Sequence, residues 1–159
     1  LQKALKGANY PASKDDLMRR VALTLFEECA AHVEACTAAA TSPIDRLRAR
    51  ITGELEFFSS RRAEFRAMAE VMANHRDTAF AVAFAETSAG EIDAIAELLA
   101  QGQAMGRFRL IDTGEAAHAI SAATYGLLDR WADDDAFDLV SATETLWDFV
   151  ESAISVRGD

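Results

Sequence analysis

Proline and cysteine are both scarce, with two of each in 159 residues. So little proline, in a chain that is half apolar, excludes a proline-rich linker array and a disordered polymer alike. Cys29 and Cys36 lie seven apart on one predicted helix, about 10 Å at 1.5 Å per residue. That is beyond disulfide reach, so both are expected to be free thiols in a reducing compartment. Long hydrophobic runs are missing too: nothing approaches the roughly 18 uninterrupted apolar residues that a membrane span needs. The stretch LQKALKGANYPASKDD at the start has no signal-peptide core. The expectation is a soluble, cytoplasmic protein with no membrane partner. Positive charge is in deficit, 16 basic against 26 acidic residues for a net charge of -10. Most of the surface therefore repels nucleic acid, and a DNA contact has to come from a local patch or a further segment. Catalytic apparatus is equally thin. There are three histidines and no nucleophile elbow, phosphate loop or dinucleotide fingerprint, so an enzyme is not expected.

What is present is helix. No window sustains period-two alternation, while apolar residues recur at spacings of three and four almost throughout. The fold class expected is all-α, an antiparallel bundle of about six helices in one domain. The first runs from an N-cap at Ser13 to about Ala39, with Leu17, Val21, Leu25, Cys29, His32 and Cys36 as its apolar stripe. Pro43 opens the second, where Ile44, Leu47, Ile51, Leu55 and Phe58 recur as far as Ser59. A short third helix carries Phe65, Met68 and Met72 and stops near Asn74-His75-Arg76. The fourth spans about Asp77 to Gln103, with Phe80, Phe84, Ile92, Ile95 and Leu99 inward. Gly106 suits its left-handed C-terminal position, and Phe108 and Leu110 of the connector are expected to tuck against the bundle. Thr113 is the expected N-cap of a fifth helix that runs to Asp133 and is rich in alanine. A sixth covers roughly Phe137 to Val156.

Three constellations invite a chemical reading. Cys29-x2-His32-x3-Cys36 is the most metal-like, yet its residues continue an apolar stripe, and core packing is the preferred account. Glu115-x2-His118 has the spacing used by di-iron bundles but occurs once, and half of such a ligand set is absent, so neither metal nor cofactor is expected. The third is an apolar group with polar residues beside it. Phe58, Phe65, Met68, Met72, Phe84 and Tyr125, with His75, Ser88 and His118 nearby, have the mixture of a small-molecule pocket with a few orienting groups. The plainer account makes them ordinary core. The last two helices carry apolar residues on two faces, which a terminal helix in a monomer does not need. Ile120, Ala123, Leu127, Trp131, Val140, Trp147, Val150 and Ile154 are therefore expected at a twofold dimer interface, unless one subunit buries both faces itself.

Gly-Gln-Ala-Met-Gly-Arg-Phe-Arg (102 to 109), then Thr-Gly-Glu-Ala-Ala-His-Ala-Ile (113 to 120), leads to Tyr-Gly-Leu-Leu-Asp-Arg-Trp (125 to 131). This order resembles the end of one long helix and the start of the next in the TetR family of bacterial transcriptional regulators. Tyr10-Pro11-Ala12-Ser13-Lys14-Asp15-Asp16-Leu17 is similar to that family's junction between the DNA-recognition helix and the first regulatory helix. The resemblance implies that residues 1–12 are the end of a DNA-binding helix-turn-helix region, of which little is present, and that residues 13–159 form a ligand-binding and dimerisation domain. It further implies phosphate contacts from Tyr10 and Lys14, a DNA operator, a small and largely apolar effector, and a homodimer acting as a ligand-responsive repressor. Two other classes remain as alternatives: a metal-binding helical bundle, and a helical interaction module without a cavity.

Overall fold

The computed structural model describes residues 14–74 and 78–156, and they form six helices. These are α1 (Lys14–Ala39), α2 (Pro43–Phe58), α3 (Arg62–Asn74), α4 (Thr78–Ala104), α5 (Thr113–Asp133) and α6 (Leu139–Ile154). Tyr10, Ser13 and His75 lie outside the described residues, as do the side chains of Lys14 and Phe80. Two helix starts follow from local chemistry. Ser42 accepts a hydrogen bond from the Asp45 amide at 3.2 Å, and Pro43 sits in the first turn, where its missing N–H has no helical partner to lose. Asp138 caps α6 by accepting from the Ser141 amide at 3.1 Å. At the start of α5 the cap is Asp112, accepting from Glu115 N at 3.0 Å, and not the neighbouring Thr113. An aspartate offers a charged acceptor to the positive helix end, which a hydroxyl does not.

The short helix α2 is the centre of the bundle and packs on α1, α4, α5 and α6. Leu47, Ile51, Leu55 and Phe58 on it are almost wholly buried, as the spacing predicts. Gly53 sits under α1, where an added Cβ would stand 3.6 Å from Cys36 Cβ and 3.7 Å from Val33 Cα, so the two helices approach closely there. The buried stripe of α1 is Ala22, Leu25, Cys29, Val33 and Thr37. Leu17, Val21 and His32, expected on that stripe, are exposed. Stepping by four for several turns overruns the 3.6-residue period, and the true contact line drifts to the neighbouring positions.

The segment joining α4 to α5 is ordered by three devices. Gly106 takes φ +67°, and the amides of Arg107 and Phe108 both donate to Gly102 O, at 2.9 and 3.1 Å. The Phe108 ring lies directly over Gly102, and Gln103 Nε2 donates to the carbonyls of Arg109 and Ile111 at 3.1 and 2.9 Å. Phe108 also pairs in an isolated antiparallel bridge with Ser155, and Arg109 N donates to Ile154 O at 2.8 Å, so the end of α6 is pinned to this connector. Only the phenylalanine of the connector is buried. Leu110, also expected to tuck against the bundle, is 87 % exposed, and the seat that Gly102 opens on α4 is taken by the Phe108 ring.

The glycines separate packing from conformation in a way that is measurable. A Cβ on Gly102 would fall 1.9 Å from the Phe108 ring, so Gly102→Ala is expected to cost about 1–3 kcal/mol through overpacking. A Cβ on Gly90 of α4 would meet nothing within 4 Å, and Gly90→Ala is expected to stabilise by about 0.5–1 kcal/mol through helix propensity. Urea denaturation midpoints of the two variants should therefore move in opposite directions; a shift of the same sign would contradict the packing described for Gly102.

Candidate functional site

A cavity of about 330 Å3 lies between α1, α2, α4 and α5, with α3 closing one side. Its apolar wall is aromatic. Phe58 meets Phe65 edge-on with ring centroids 5.0 Å apart, Phe65 is 5.9 Å from Tyr125, and Phe26 on α1 is 5.2 Å from Phe84 on α4. Met68, Cys29 and Val33 fill the gaps between the rings. A larger cleft of about 540 Å3 follows α1 and α3 past Met18, Leu25 and Met68, but it is the smaller cavity on which aromatic and deeply placed charged side chains converge.

Those charged groups come from three helices. Arg50 on α2 has a side chain only 8 % exposed. Its Nε and Nη2 donate to the two carboxylate oxygens of Glu91 on α4 at 2.9 and 2.8 Å, and Nη1 donates to Glu34 on α1 at 2.8 Å. Burial pulls the guanidinium pKa down, but the carboxylates, Glu91 foremost, outweigh it and leave the pKa above its ordinary value. One turn further along α2, Glu54 also lines the cavity. It forms no hydrogen bond or ion pair among the described residues. Burial, and after it the Glu91 charge, push its carboxyl from 4.5 up to about 7, against an opposing pull from Arg50. Burial, with Glu54 and Glu91, likewise pushes the Cys29 thiol up to about 12, so at neutral pH it is a protonated filler and not a nucleophile. Tyr125 is raised by burial and then by Asp129 and Glu54, and so keeps its phenolic proton.

Of the side chains expected in a pocket, Phe58, Phe65, Met68, Phe84, Ser88 and Tyr125 line this cavity together. Met72 does not reach it and borders a separate recess with Tyr125 and Asp129. His118 is exposed and does not line the cavity, although it stands only about 60° around α5 from Ser121 and about 20° from Tyr125, which do. Arg50, Glu54 and Glu91 were the group that spacing arguments passed over. Their signal lies in α2, where Arg50 and Glu54 occupy stripe positions three and seven residues after Leu47, among residues that are otherwise apolar. Among the described residues no group of three or more His, Cys, Asp or Glu side chains is placed to hold a metal ion. Cys36 Sγ lies 3.6 Å from His32 Nε2 on an exposed face, while Cys29 faces the core.

Six helices in this order, around a cavity and ending in a paired α5 and α6, can be compared with known architectures. No protein-family model matches the sequence, and no curated protein does. Solved structures do match in shape. The TetR family transcriptional regulator PfmR from Thermus thermophilus superposes with a TM-score of 0.77 at 16 % identity, over 96 % of this chain and 81 % of that one. A bacterial regulatory protein in the TetR family from Rhodococcus RHA1 does so with 0.75 at 18 % identity, over 92 % and 76 %. The chain has the TetR-regulator fold. The likeness extends across more than nine-tenths of the chain, 92 % and 96 % of it, so the resemblance read from residues 102–131 holds for the architecture.

Within this TetR-type fold, α5 and α6 present a further surface. Trp131 and Trp147 were expected at an interface, but both are buried within the chain itself. Arg62 stacks over Trp131 at 4.6 Å and Arg48 over Trp147 at 5.7 Å. Ile120, Val150 and Ile154 are also mostly covered and form the floor of an apolar groove between the two helices. Its rim is outward: Ala119 and Ala123 are exposed and Phe149 is 72 % exposed, while Leu127, partly exposed, borders an adjoining hollow and Val140, also 72 % exposed, lies outside the groove. Phe149 borders two adjoining hollows, one beside Ile111 and Ala116 and the other beside Leu127 and Phe137. No helix of the described residues is long and apolar enough to cross a membrane.

The two buried charges of α2 differ in what their removal does. Arg50→Met leaves Glu91 without its bidentate partner in a mostly buried position and is expected to cost about 3–5 kcal/mol. Glu54 behaves oppositely. Its folded pKa lies above the unfolded value of 4.5, so the folded chain holds a proton that the unfolded chain has released, and stability falls as pH rises from about 4.5 to about 7. Glu54→Gln is therefore expected to raise the melting temperature at pH 8, by up to about 3 kcal/mol in stability, and to change nothing at pH 4. Melting curves of both variants from pH 4 to pH 8 check the two signs.

Proposed function

We propose that this chain is the effector-binding and dimerisation part of a ligand-responsive transcriptional regulator of the TetR type, acting as a homodimer and as a repressor in the cytoplasm. The observation that carries this reading is the aromatic cavity, enclosed by α1 to α5 in a fold whose solved examples include TetR-family regulators. Its size and lining suit a small, largely apolar molecule. The ligand acts by binding one arrangement of α1 against α2 and α4 better than another. Affinity alone moves nothing; the difference in affinity between two arrangements does. Residues 1–12 belong, on this reading, to a DNA-binding helix-turn-helix region, with Tyr10 and Lys14 touching operator phosphates. Residues 13–159 are the regulatory domain. Such a protein needs neither an enzymatic activity nor a metal or cofactor.

The groove between α5 and α6 supports the dimer. Exposed alanines along α5 allow a second helix pair to approach closely, and Phe149 and Val140 are large apolar groups for which water is a poor neighbour. Ile120, Ala123, Leu127, Val140, Val150 and Ile154 contribute to that contact together with Phe149, while Trp131 and Trp147 stiffen it from behind. Light scattering of the purified chain is expected to give twice the mass of one subunit. Phe149→Glu places two like charges near the twofold axis and is expected to weaken association by at least about tenfold in dissociation constant while leaving the helical circular dichroism intact. A wild-type chain that stays monomeric at high micromolar concentration removes the dimer from this proposal.

A further inference from the structure

We propose that the cavity is built for an organic cation, a compact onium group on an apolar body, with the positive centre seated against the Glu54 carboxylate. This deepens the proposed function, since it rests on the cavity being the effector site. Charge bookkeeping inside the cavity gives the reason. Three carboxylates, Glu34, Glu54 and Glu91, line it together with one guanidinium, Arg50. Glu91 and Glu34 already accept hydrogen bonds from Arg50, while Glu54 has no such partner among the described residues. An apolar molecule entering alone would strip the remaining water from an unpartnered carboxyl, a costly step for any polar group and more so for a charged one. An anion would meet the excess negative charge. A cation neutralises it.

The aromatic walls agree with this choice. Phe58, Phe65, Phe84 and Tyr125 line the cavity, and aromatic rings, with their negative quadrupole, suit both a cation and the apolar body that carries it. The groups around Glu54 also fix how binding depends on pH. Cys29 and Glu34 face the cavity from α1, Arg50 from α2, Glu91 from α4 and Tyr125 from α5, and α3 contributes only Phe65 and Met68. Cys29 and Tyr125 are held protonated at neutral pH, and Arg50 stays charged. Glu54, with its carboxyl pushed up to about 7, is the one raised acid of this set that changes charge near neutrality. A permanent cation binds its ionised form and displaces its proton, so affinity rises with pH through this range.

Benzyltrimethylammonium is a suitable probe because it titrates nothing itself, and neopentylbenzene is its uncharged isostere. Isothermal titration of the purified chain should show that the cation binds, with a dissociation constant about tenfold lower at pH 8 than at pH 6. Glu54→Gln should weaken the cation at pH 8 by at least about tenfold and remove that pH dependence, while Glu54→Asp retains part of both. Neopentylbenzene should bind more weakly than the cation to the wild type at pH 8, and its affinity should not fall in Glu54→Gln. Equal affinity for both probes, tighter binding at low pH, or a Glu54→Gln chain that binds the cation unchanged overturns the cation assignment and leaves the cavity as an effector site. Binding of neither probe overturns both.

Discussion

A single buried guanidinium ties three helices of the bundle together. Arg50 projects from α2, on which α1, α4, α5 and α6 pack, and holds Glu91 of α4 with two hydrogen bonds and Glu34 of α1 with a third. Planarity lets one group satisfy both oxygens of Glu91 and still reach another helix, something a lysine in this place would not achieve. With the arginine gone, Glu91, whose side chain is 28 % exposed, would be left without its bidentate partner. Helix α2 is thus fixed to its neighbours both by the packing of Leu47, Ile51 and Leu55 and by a charge network that requires all three helices in register.

That network forms one wall of the cavity, and this gives the cavity its mechanical interest. A ligand placed against Phe58, Phe84 and Tyr125 touches three helices, and anything that alters charge near Glu54 is felt at Glu91 and Arg50 within the same low-dielectric space. The link from pocket to helix geometry needs no long pathway, because the charged wall and the helix contacts are the same residues. On the other side of the molecule, α6 is held at its end by the bridge from Ser155 to Phe108 and beneath by α2. The cavity and the α5 and α6 groove therefore share one support.

Much of the architecture was legible in residue order. Pro43 after Ser42, Gly106 before Arg107, and the triple aspartate after α5 punctuate the chain through local hydrogen bonding and backbone freedom, and the observed elements follow them within a residue or two. Gly102 carries a second kind of information, since only the tertiary position of Phe108 explains why a side chain is forbidden there. A third of the pocket lining was legible as well: Phe58, Phe65, Met68, Phe84, Ser88 and Tyr125 are on or beside apolar faces that turn inward. His118 marks the limit of periodicity. Only about 20° of helix rotation separates it from Tyr125, which lines the cavity, and nothing local says how the helix is rolled or how far along it the cavity reaches.

The sequence by itself determined the helical class, the element boundaries and which face of α2 is buried, because these depend on periodicity, capping and turn chemistry within a few residues. Tertiary structure alone decided three things: that Trp131 and Trp147 are covered by Arg62 and Arg48 of the same chain, that Phe149 and Val140 are left outward, and that Arg50 and Glu54 face a cavity instead of water. The physical reason is common to all three. Whether a side chain is buried, and by whom, depends on how helices distant in sequence are rotated and stacked, and that rotation is fixed only when all their faces compete for the same core.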